Sequence, residues 1–289
     1  MIRRPPRSTQ GVSSAASDVY KRQYVQIVTL TDRLDYVASM SNNLAYVSAV
    51  EKLCNMEVPK RASYIRVIVA ELQRIASHLM ATGFLLNDLG AFGTPLMYCF
   101  REREKILDMF EILCGARITL SYMRPGGIFQ DTPDEFWSNL ELFLESMPNQ
   151  VDELESLITG NEIVLSRTRD VGILTPEQVI DASLSGPMLR ASRVKWDLRK
   201  ANPYEIYDEL DFDIPIGATG DTFDRYLIRI KEMRESIKII NQCLTNLPKG
   251  PIKTSDGKIT PPPKKEILYG VFEIIILIYK QKLTIISHY

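Results

Sequence analysis

The stretch Pro59–Asp88 constrains the fold more than any other. Ile65, Ile68, Val69, Leu72, Ile75, Ala76 and Leu79 recur at spacings of three and four, which places them on one face of a helix. Pro59 fits its first turn, where a missing N–H costs nothing. Further helices flank it. Met40–Cys54 carries Ala45, Ala49 and Leu53 at spacing four, and Leu96–Cys114 sets Phe100, Ile106, Leu107 and Phe110 in a charged frame. Thr132, followed by Pro133, Asp134 and Glu135, reads as an N-cap with two acids at the positive helix end. Pro148 is expected to break that helix, with another starting near Asn149. Thr175–Gln178 has capping-box spacing. Asp221–Leu247 is a long helix with Leu227, Ile230, Ile237, Ile240 and Leu244 on one face. The stretches Tyr122–Pro133, Arg167–Leu174 and Ser183–Gly220 are irregular and rich in Gly, Pro and charge. The last is long for a structureless connection, so it is either functional or packed against something. The fold class expected is mainly α, one helical body with long ordered loops.

Composition narrows the function classes. At 45% hydrophobic, the 289-residue chain can support a core, which excludes disorder as a description of the whole. Lys+Arg 35 against Asp+Glu 36 leaves a net charge of -1, which gives no support to a nucleic-acid or anionic-membrane partner. Cys54, Cys99, Cys114 and Cys243 contain no CxxC pair, so structural zinc and thioredoxin-like chemistry lack a motif. Scattered thiols on apolar stretches suit a reducing compartment. His78 and His288 are the two histidines, which rules out a His-rich metal site within the sequence. The most apolar window, Ile267–Tyr279, contains Glu273 and falls short of the roughly 20 apolar residues of a transmembrane helix. A soluble or peripheral protein is expected.

The two ends differ from the middle. Residues 1–23 are basic and rich in Ser and Pro, without the apolar stretch of a signal peptide. They resemble translated sequencing-adapter read-through and are expected to be a disordered artefact. They hold five basic residues and one acid, so the remainder has 30 basic against 35 acidic residues, a net of -5. Residues 271–289, β-branched and low in complexity, are expected to be a frameshifted or aberrant tail. The domain proper is expected over 24–270.

Several segments carry groups capable of chemistry. Thr31–Tyr36 packs two acids, a base and a phenol before a helix. It reads either as a helix N-terminus dressed with acids, with Tyr36 half-buried in packing, or as a site. In the second reading Tyr36 donates a hydrogen bond to a polar ligand atom and Arg33 supplies a fixed positive charge. His78 follows Arg74 by four residues, so the two share a helix face. His78 is either a hydrogen-bonded core residue or part of a site. Asp88 sits at the wrong end of its helix dipole, so it needs a partner or serves a function, unless it is simply solvated in a turn. Arg101–Lys105 alternates in sign, as solvated helix faces do. Arg124 beside Pro125-Gly126-Gly127 suggests a backbone bend with a fixed side chain. The basic run Ser185–Lys200 and the acidic run Tyr207–Asp213 fit either a partner interface or internal ion pairs. No phosphate loop, dinucleotide fingerprint, GxSxG or HExxH is present.

Ten segments in order carry a resemblance: TDRLDYVASMSNNLAY, AVEKL, IRVIVAELQRIASHL, DLGA, REREKILD, GARITLSYMRPGG, LSGPMLRAS, WDLRKANPY, YDELDFDIPIG and GDTFDRYLIRIKEMRESIKII. From about Tyr24 to about Tyr269 the sequence resembles the D-subunit family of respiratory complex I, the proton-pumping NADH–quinone oxidoreductase. That family is homologous to the large subunit of nickel–iron hydrogenases, and the resemblance implies the same kind of helical body.

The resemblance implies a function as well. The D-subunit lies in the peripheral arm where it meets the membrane arm, on the cytoplasmic side of the bacterial inner membrane. With an iron–sulfur subunit it forms the quinone-reduction chamber, and a membrane-arm subunit lies at the quinone entrance. NAD is bound by another subunit. Tyr36 matches the tyrosine that hydrogen-bonds the quinone headgroup. Arg33 matches an arginine near the terminal iron–sulfur cluster, which the neighbour holds. Asp88 matches an aspartate that pairs with a quinone-site histidine, and Arg74 and His78 match a helix lining the same region. Electron transfer to quinone would be followed by protonation, with Asp88 changing partners to signal toward the pump. Free phenols ionise near pH 10, which favours hydrogen bonding over proton donation for Tyr36.

Three departures stand out. The family's H-P-x-x-H-G segment, which carries the histidine, is absent, and so is its C-terminal part. Thr119 stands where many members have a histidine near the cluster, which implies a cluster potential less dependent on pH. The fragment alone is expected to be inactive. Two other readings stay open: a hydrogenase-type large subunit, which would need CxxC pairs for its metals, and a helical scaffold of a redox complex with no site of its own.

Overall fold

The computed structural model describes residues 24–91 and 93–255. The expectations for residues 1–23 and 271–289, for His288 and for the window Ile267–Tyr279 lie outside them. The architecture is mainly α, as expected. Among the described residues ten α-helices follow in order: α1 Tyr24–Thr31, α2 Ser39–Cys54, α3 Lys60–Asp88, α4 Thr94–Cys114, α5 Asp134–Ile158, α6 Glu162–Thr168, α7 Pro176–Asp181, α8 Gly186–Ala191, α9 Leu198–Ala201 and α10 Thr222–Thr245. A two-stranded antiparallel hairpin, β1 Met123–Arg124 and β2 Gly127–Ile128, stands between α4 and α5.

α3 is the axis of the fold. Its 29 residues span roughly 43 Å. It packs against α4 and α10, and α5 closes the ring by packing against both of those. Ile65, Ile68, Leu72, Ile75, Phe110, Phe136, Met147, Tyr226, Met233 and Ile240 fill the space between them. α2 and β2 cover the first half of α3, with α1 set against α2. The single apolar face read from the sequence understates this helix. From Ala62 to Gln73 every residue is buried, Arg66, Glu71 and Gln73 included.

Among the described residues side-chain caps start four helices, with Asn161 opening α6 and Asp197 opening α9. Thr175 and Gln178 form the reciprocal capping box, and the Asp221 side chain accepts from the Asp224 N–H to start α10. The start of α5 differs from expectation. Pro133 occupies the cap position without a side-chain hydrogen bond, and Asp134 and Glu135 supply the acids of the first turn.

Pro148 does not break α5, which runs through it to Ile158. A mid-helix proline removes one hydrogen bond and costs about 3 kcal/mol. Against that, Phe143, Leu144, Met147, Val151, Leu154 and Ile158 form one buried stripe that spans the proline. Interrupting the helix would take the second half of that stripe out of the core.

Gly127 has no room for a side chain. A Cβ built there would lie 2.0 Å from the Ile252 carbonyl oxygen. The close approach lets Ile128 N–H donate to Ile252 O (3.2 Å) and Thr254 N–H to Gly126 O (2.8 Å), which ties the segment after α10 to the hairpin.

Candidate functional site

The first candidate region is the loop 32–38 between α1 and α2. Its backbone turns at Asp35–Ala38, where Ala38 N–H donates to Asp35 O (3.1 Å) and Asp35 Oδ1 accepts from Val37 N–H (3.0 Å). Tyr36 is at the tip of this turn and is 63% exposed, which removes the packing reading. Arg33 is also exposed, with its guanidinium donating to the Thr29 carbonyl. Leu34, at 76% exposure, and Ile118, at 50%, add exposed apolar surface.

The inner side of this loop is held by buried groups. Asn43 Nδ2 donates to Asp32 Oδ1 (2.7 Å), and Thr31 Oγ1 donates to Asn43 Oδ1 (2.7 Å). Ser121 N–H donates to the same Asp32 oxygen (3.3 Å), which joins the loop to the segment before β1. Burial pushes the Asp32 carboxyl above the ordinary aspartate range, against the hydrogen bonds of Asn43 and Ser121 and the charges of Arg33 and Arg124. From α3, Gln73 Nε2 donates to Val37 O (2.7 Å). Thr119 and Ser121 both hold left-handed backbone, with φ of 52° and 44°, which is strained for a β-branched threonine.

The hairpin beside this loop is clamped by Arg66, which is fully buried. Its guanidinium donates to Glu51 Oε2 (3.0 Å), Glu205 Oε1 (2.8 Å), Arg124 O (2.9 Å) and Gly127 O (2.9 Å). Glu51 Oε1 also accepts from Gly126 N–H (2.7 Å). The bend at Pro125-Gly126 is therefore fixed from behind, and the Arg124 side chain lies over the Phe129 ring at 5.5 Å.

The second region lies where α3 meets α8, α9 and α10. Glu71 accepts from Arg199 Nη1 (3.0 Å), Tyr207 Oη (2.6 Å), Ser236 Oγ (2.6 Å) and Arg74 Nε (3.1 Å). Burial alone would raise its carboxyl, but Arg74, Arg199 and the two hydroxyls outweigh it and bring the pKa to about 2. Arg199 also pairs with Asp197 (2.7 Å), and Arg190 with Glu232 (2.6 Å). His78 Nε2 is 2.7 Å from the other Glu232 oxygen. Burial lowers the His78 pKa more than that contact raises it, so the ring is neutral at pH 7 and Nε2–H donates to the carboxylate. Glu232 is held well below the carboxylate range, burial being outweighed by His78 and Arg190.

These geometries resolve the alternatives left by the sequence. The basic and acidic runs in 183–220 are each held by internal ion pairs to other elements: Arg190 to Glu232 and Arg199 to Glu71 in the first, Glu209 to Lys60 and Asp211 to Lys238 in the second. His78 and Arg74 belong to the buried network beneath that segment. Asp88 is the last residue of α3, is exposed, and has no hydrogen-bond or ion-pair partner among the described residues. It lies fifteen residues beyond Gln73, about 22 Å further along the helix axis. The structure thus brings Arg33 and Tyr36 together on one loop and leaves Asp88 at the far end of α3. In the alternating run Arg101–Lys105, Arg101 and Lys105 pair with Glu102 as local ion pairs, but Glu102 and Arg103 are buried. Among the described residues no helix is long and apolar enough to cross a membrane, and no three His, Cys, Asp or Glu side chains gather as a metal site.

The family model described as respiratory-chain NADH dehydrogenase, 49 Kd subunit, matches residues 88–285. Among curated relatives, the NADH-quinone oxidoreductase D-subunit of Dehalococcoides mccartyi strain 195 is 54% identical over 246 residues, covering 85% of this chain and 67% of the relative. The protein of the same name from Desulforamulus reducens is 51% identical over 245 residues, with 85% and 67% covered. That of Anaplasma marginale is 48% identical over 254 residues, with 88% and 64% covered. The chain therefore spans about two thirds of the length of these relatives. With relatives half identical over most of its length and a family model matching more than half of it, the chain belongs to the 49 kDa subunit family of respiratory-chain NADH dehydrogenase, the D-subunit family of complex I.

Proposed function

We propose that this chain forms part of the quinone-reduction site of an NADH–quinone oxidoreductase, together with a neighbouring subunit that holds the terminal iron–sulfur cluster. The observation that carries the reading is Tyr36, a phenol 63% exposed beside Arg33 on a loop whose inner side is fixed by buried hydrogen bonds. A donor held at a fixed position above a surface is what recognition of a carbonyl oxygen requires. Tyr36 donates to one oxygen of the quinone headgroup. Arg33 places a permanent positive charge near the partner's cluster, which favours the reduced form of a nearby redox centre. Two electrons from that cluster and two protons convert the quinone to the quinol.

In a full-length subunit that carries the family's H-P-x-x-H-G segment, Asp88 takes the role of pairing with its histidine. At the negative end of α3 a carboxylate is disfavoured alone and is stabilised by a cationic partner. Its change of partner when the histidine gives up its proton couples the chemistry to proton translocation. In this reading Thr119 leaves the cluster potential with little pH dependence, which a redox titration of the complex at several pH values tests. The chain sits peripherally on the cytoplasmic side of the bacterial inner membrane, against the iron–sulfur subunit and the membrane-arm subunit at the quinone entrance. The assembled complex acts, and this chain is inactive by itself.

The test is Tyr36→Phe in the full-length subunit within the assembled complex. Loss of one hydrogen bond to the substrate lowers quinone reduction about tenfold or more, with ferricyanide reduction by NADH unchanged. Unchanged quinone reduction would instead make the chain a scaffold without a site of its own.

A further inference from the structure

Gln73 is a polar side chain in the most buried part of α3, only 3% exposed. Its Oε1 is buried without a hydrogen-bond partner. A buried acceptor left unpaired is unfavourable, and an apolar side chain at this position would avoid it. What the amide does make is the bond from Nε2 to Val37 O, one residue beyond Tyr36. Asn43 makes a second buried tie to the same loop. It accepts from Thr31 and donates to Asp32, at opposite sides of the helix-to-loop junction, with both bonds at 2.7 Å. Asn42 adds an exposed third, from Nδ2 to Asp35 O (3.3 Å). The loop is thus pinned ahead of Tyr36 through the Asp32 side chain and behind it at the Val37 carbonyl, and its backbone makes a hydrogen-bonded turn at Asp35–Ala38. With the loop anchored at both ends, and the peptide groups flanking Tyr36 held by Asn42 to Asp35 O and by Val37 N–H to Asp35 Oδ1, the Cα–Cβ direction of Tyr36 is set. Its exposed ring has little packing of its own to orient it.

We propose that Gln73 and Asn43 are positioning residues for Tyr36, setting the height and direction of the phenol from beneath the loop without touching the ligand. The inference rests on the reading that Tyr36 contacts the quinone. Without Gln73 the turn keeps its local bonds but gains freedom about Val37. The phenol then spends less time in the orientation that meets the ligand oxygen, and KM for quinone rises before the maximal rate falls.

The experiment is a double-mutant cycle in the assembled complex carrying the full-length subunit, with a short-chain quinone as acceptor. Ferricyanide reduction by NADH reports assembly and upstream electron flow. Gln73→Met keeps side-chain length and removes the donor. It raises KM for quinone about tenfold, with ferricyanide reduction unchanged. In a Tyr36→Phe background the same substitution has little further effect, because the group it positions has gone. An equal loss in both backgrounds, or no loss in the Tyr36 background, overturns the positioning role while leaving the quinone reading intact. If Tyr36→Phe itself leaves quinone reduction unchanged, that reading falls and the positioning role with it. Should Gln73→Met fail to assemble, Asn43→Ala is put through the same cycle and decides by the same criteria.

Discussion

Two irregular segments are fastened to the same helix by different means. The loop 32–38 is tied to α2 and α3 by single hydrogen bonds from Asn42, Asn43 and Gln73, with Asp32 as the one buried charge. The 183–220 segment is fastened by charge on charge: Arg199 to Glu71 and Asp197, and Arg190 to Glu232. A single hydrogen bond contributes about 1 kcal/mol, and about 1.5–3 kcal/mol where it meets a charged group such as the Asp32 carboxylate, so the loop is placed without being heavily stabilised. Breaking one partner of a buried ion pair strands the other charge and costs several times more. The difference separates positioning a reactive group from holding a body together.

That comparison breaks most sharply at Arg199. Arg199→Ala leaves Glu71 and Asp197 buried beside one fewer cation and is expected to lower stability by about 3–5 kcal/mol, read as the urea midpoint. A loss below about 1 kcal/mol would place the network on a par with the loop ties. Next in size, Pro148→Ala restores a helix hydrogen bond in α5 without touching either region and raises stability by up to about 3 kcal/mol. It serves as the reference for a purely local change.

Acid titration reads the charged network. His78 has a folded pKa below its unfolded value, so below about pH 6.5 the unfolded chain binds a proton that the native chain does not. Stability then falls with decreasing pH by up to about 1.4 kcal/mol per unit. Glu71 and Glu232 have depressed pKa values, so their contribution is complete above about pH 4.5 and is lost as pH falls toward their folded values. Urea midpoints from pH 7 to 4 should show a shallow limb followed by a steeper one. His78→Gln should flatten the first limb. A midpoint constant between pH 7 and 5.5 in the unsubstituted chain would contradict a neutral, buried His78. The smallest effect is expected at Tyr36→Phe, which changes stability by less than about 0.5 kcal/mol because the ring is exposed.

What is legible in the sequence is what depends on neighbours a few residues away. Periodicity marks α2, α3, α4 and α10, and the capping box at Thr175 is readable because donor and acceptor lie within one turn. Pro148 misleads because a local rule is outweighed by a stripe of apolar contacts that only the folded α5 aligns. The polar residues of α3 are opaque for the same reason. Arg66 and Glu71 look like the solvated side of an amphipathic helix until partners 139 and 128 residues away arrive, and His78, readable as a hydrogen-bonded core residue, gives no sign of its partner 154 residues away. Tyr36, Arg33 and Asp88 stand out with the help of the family resemblance. The structure adds that the first two share a loop, whereas Asp88 stands apart. Gln73 and Asn43 give no sign of themselves, because nothing in their spacing signals a bond to a loop carbonyl or a buried carboxylate.

The Arg66 clamp also sets an order on assembly. Glu51 lies 15 residues from Arg66 and the hairpin carbonyls about 60, but Glu205 lies 139 residues away. Closing larger loops costs more entropy, though only logarithmically. During synthesis the first carboxylate and the hairpin can reach the guanidinium well before Glu205 leaves the ribosome. The last must wait until the chain has passed α9. Until then the arginine is held by one acid and the backbone of a short hairpin, and Glu205 acts as a latch that can close only after most of the helical ring exists.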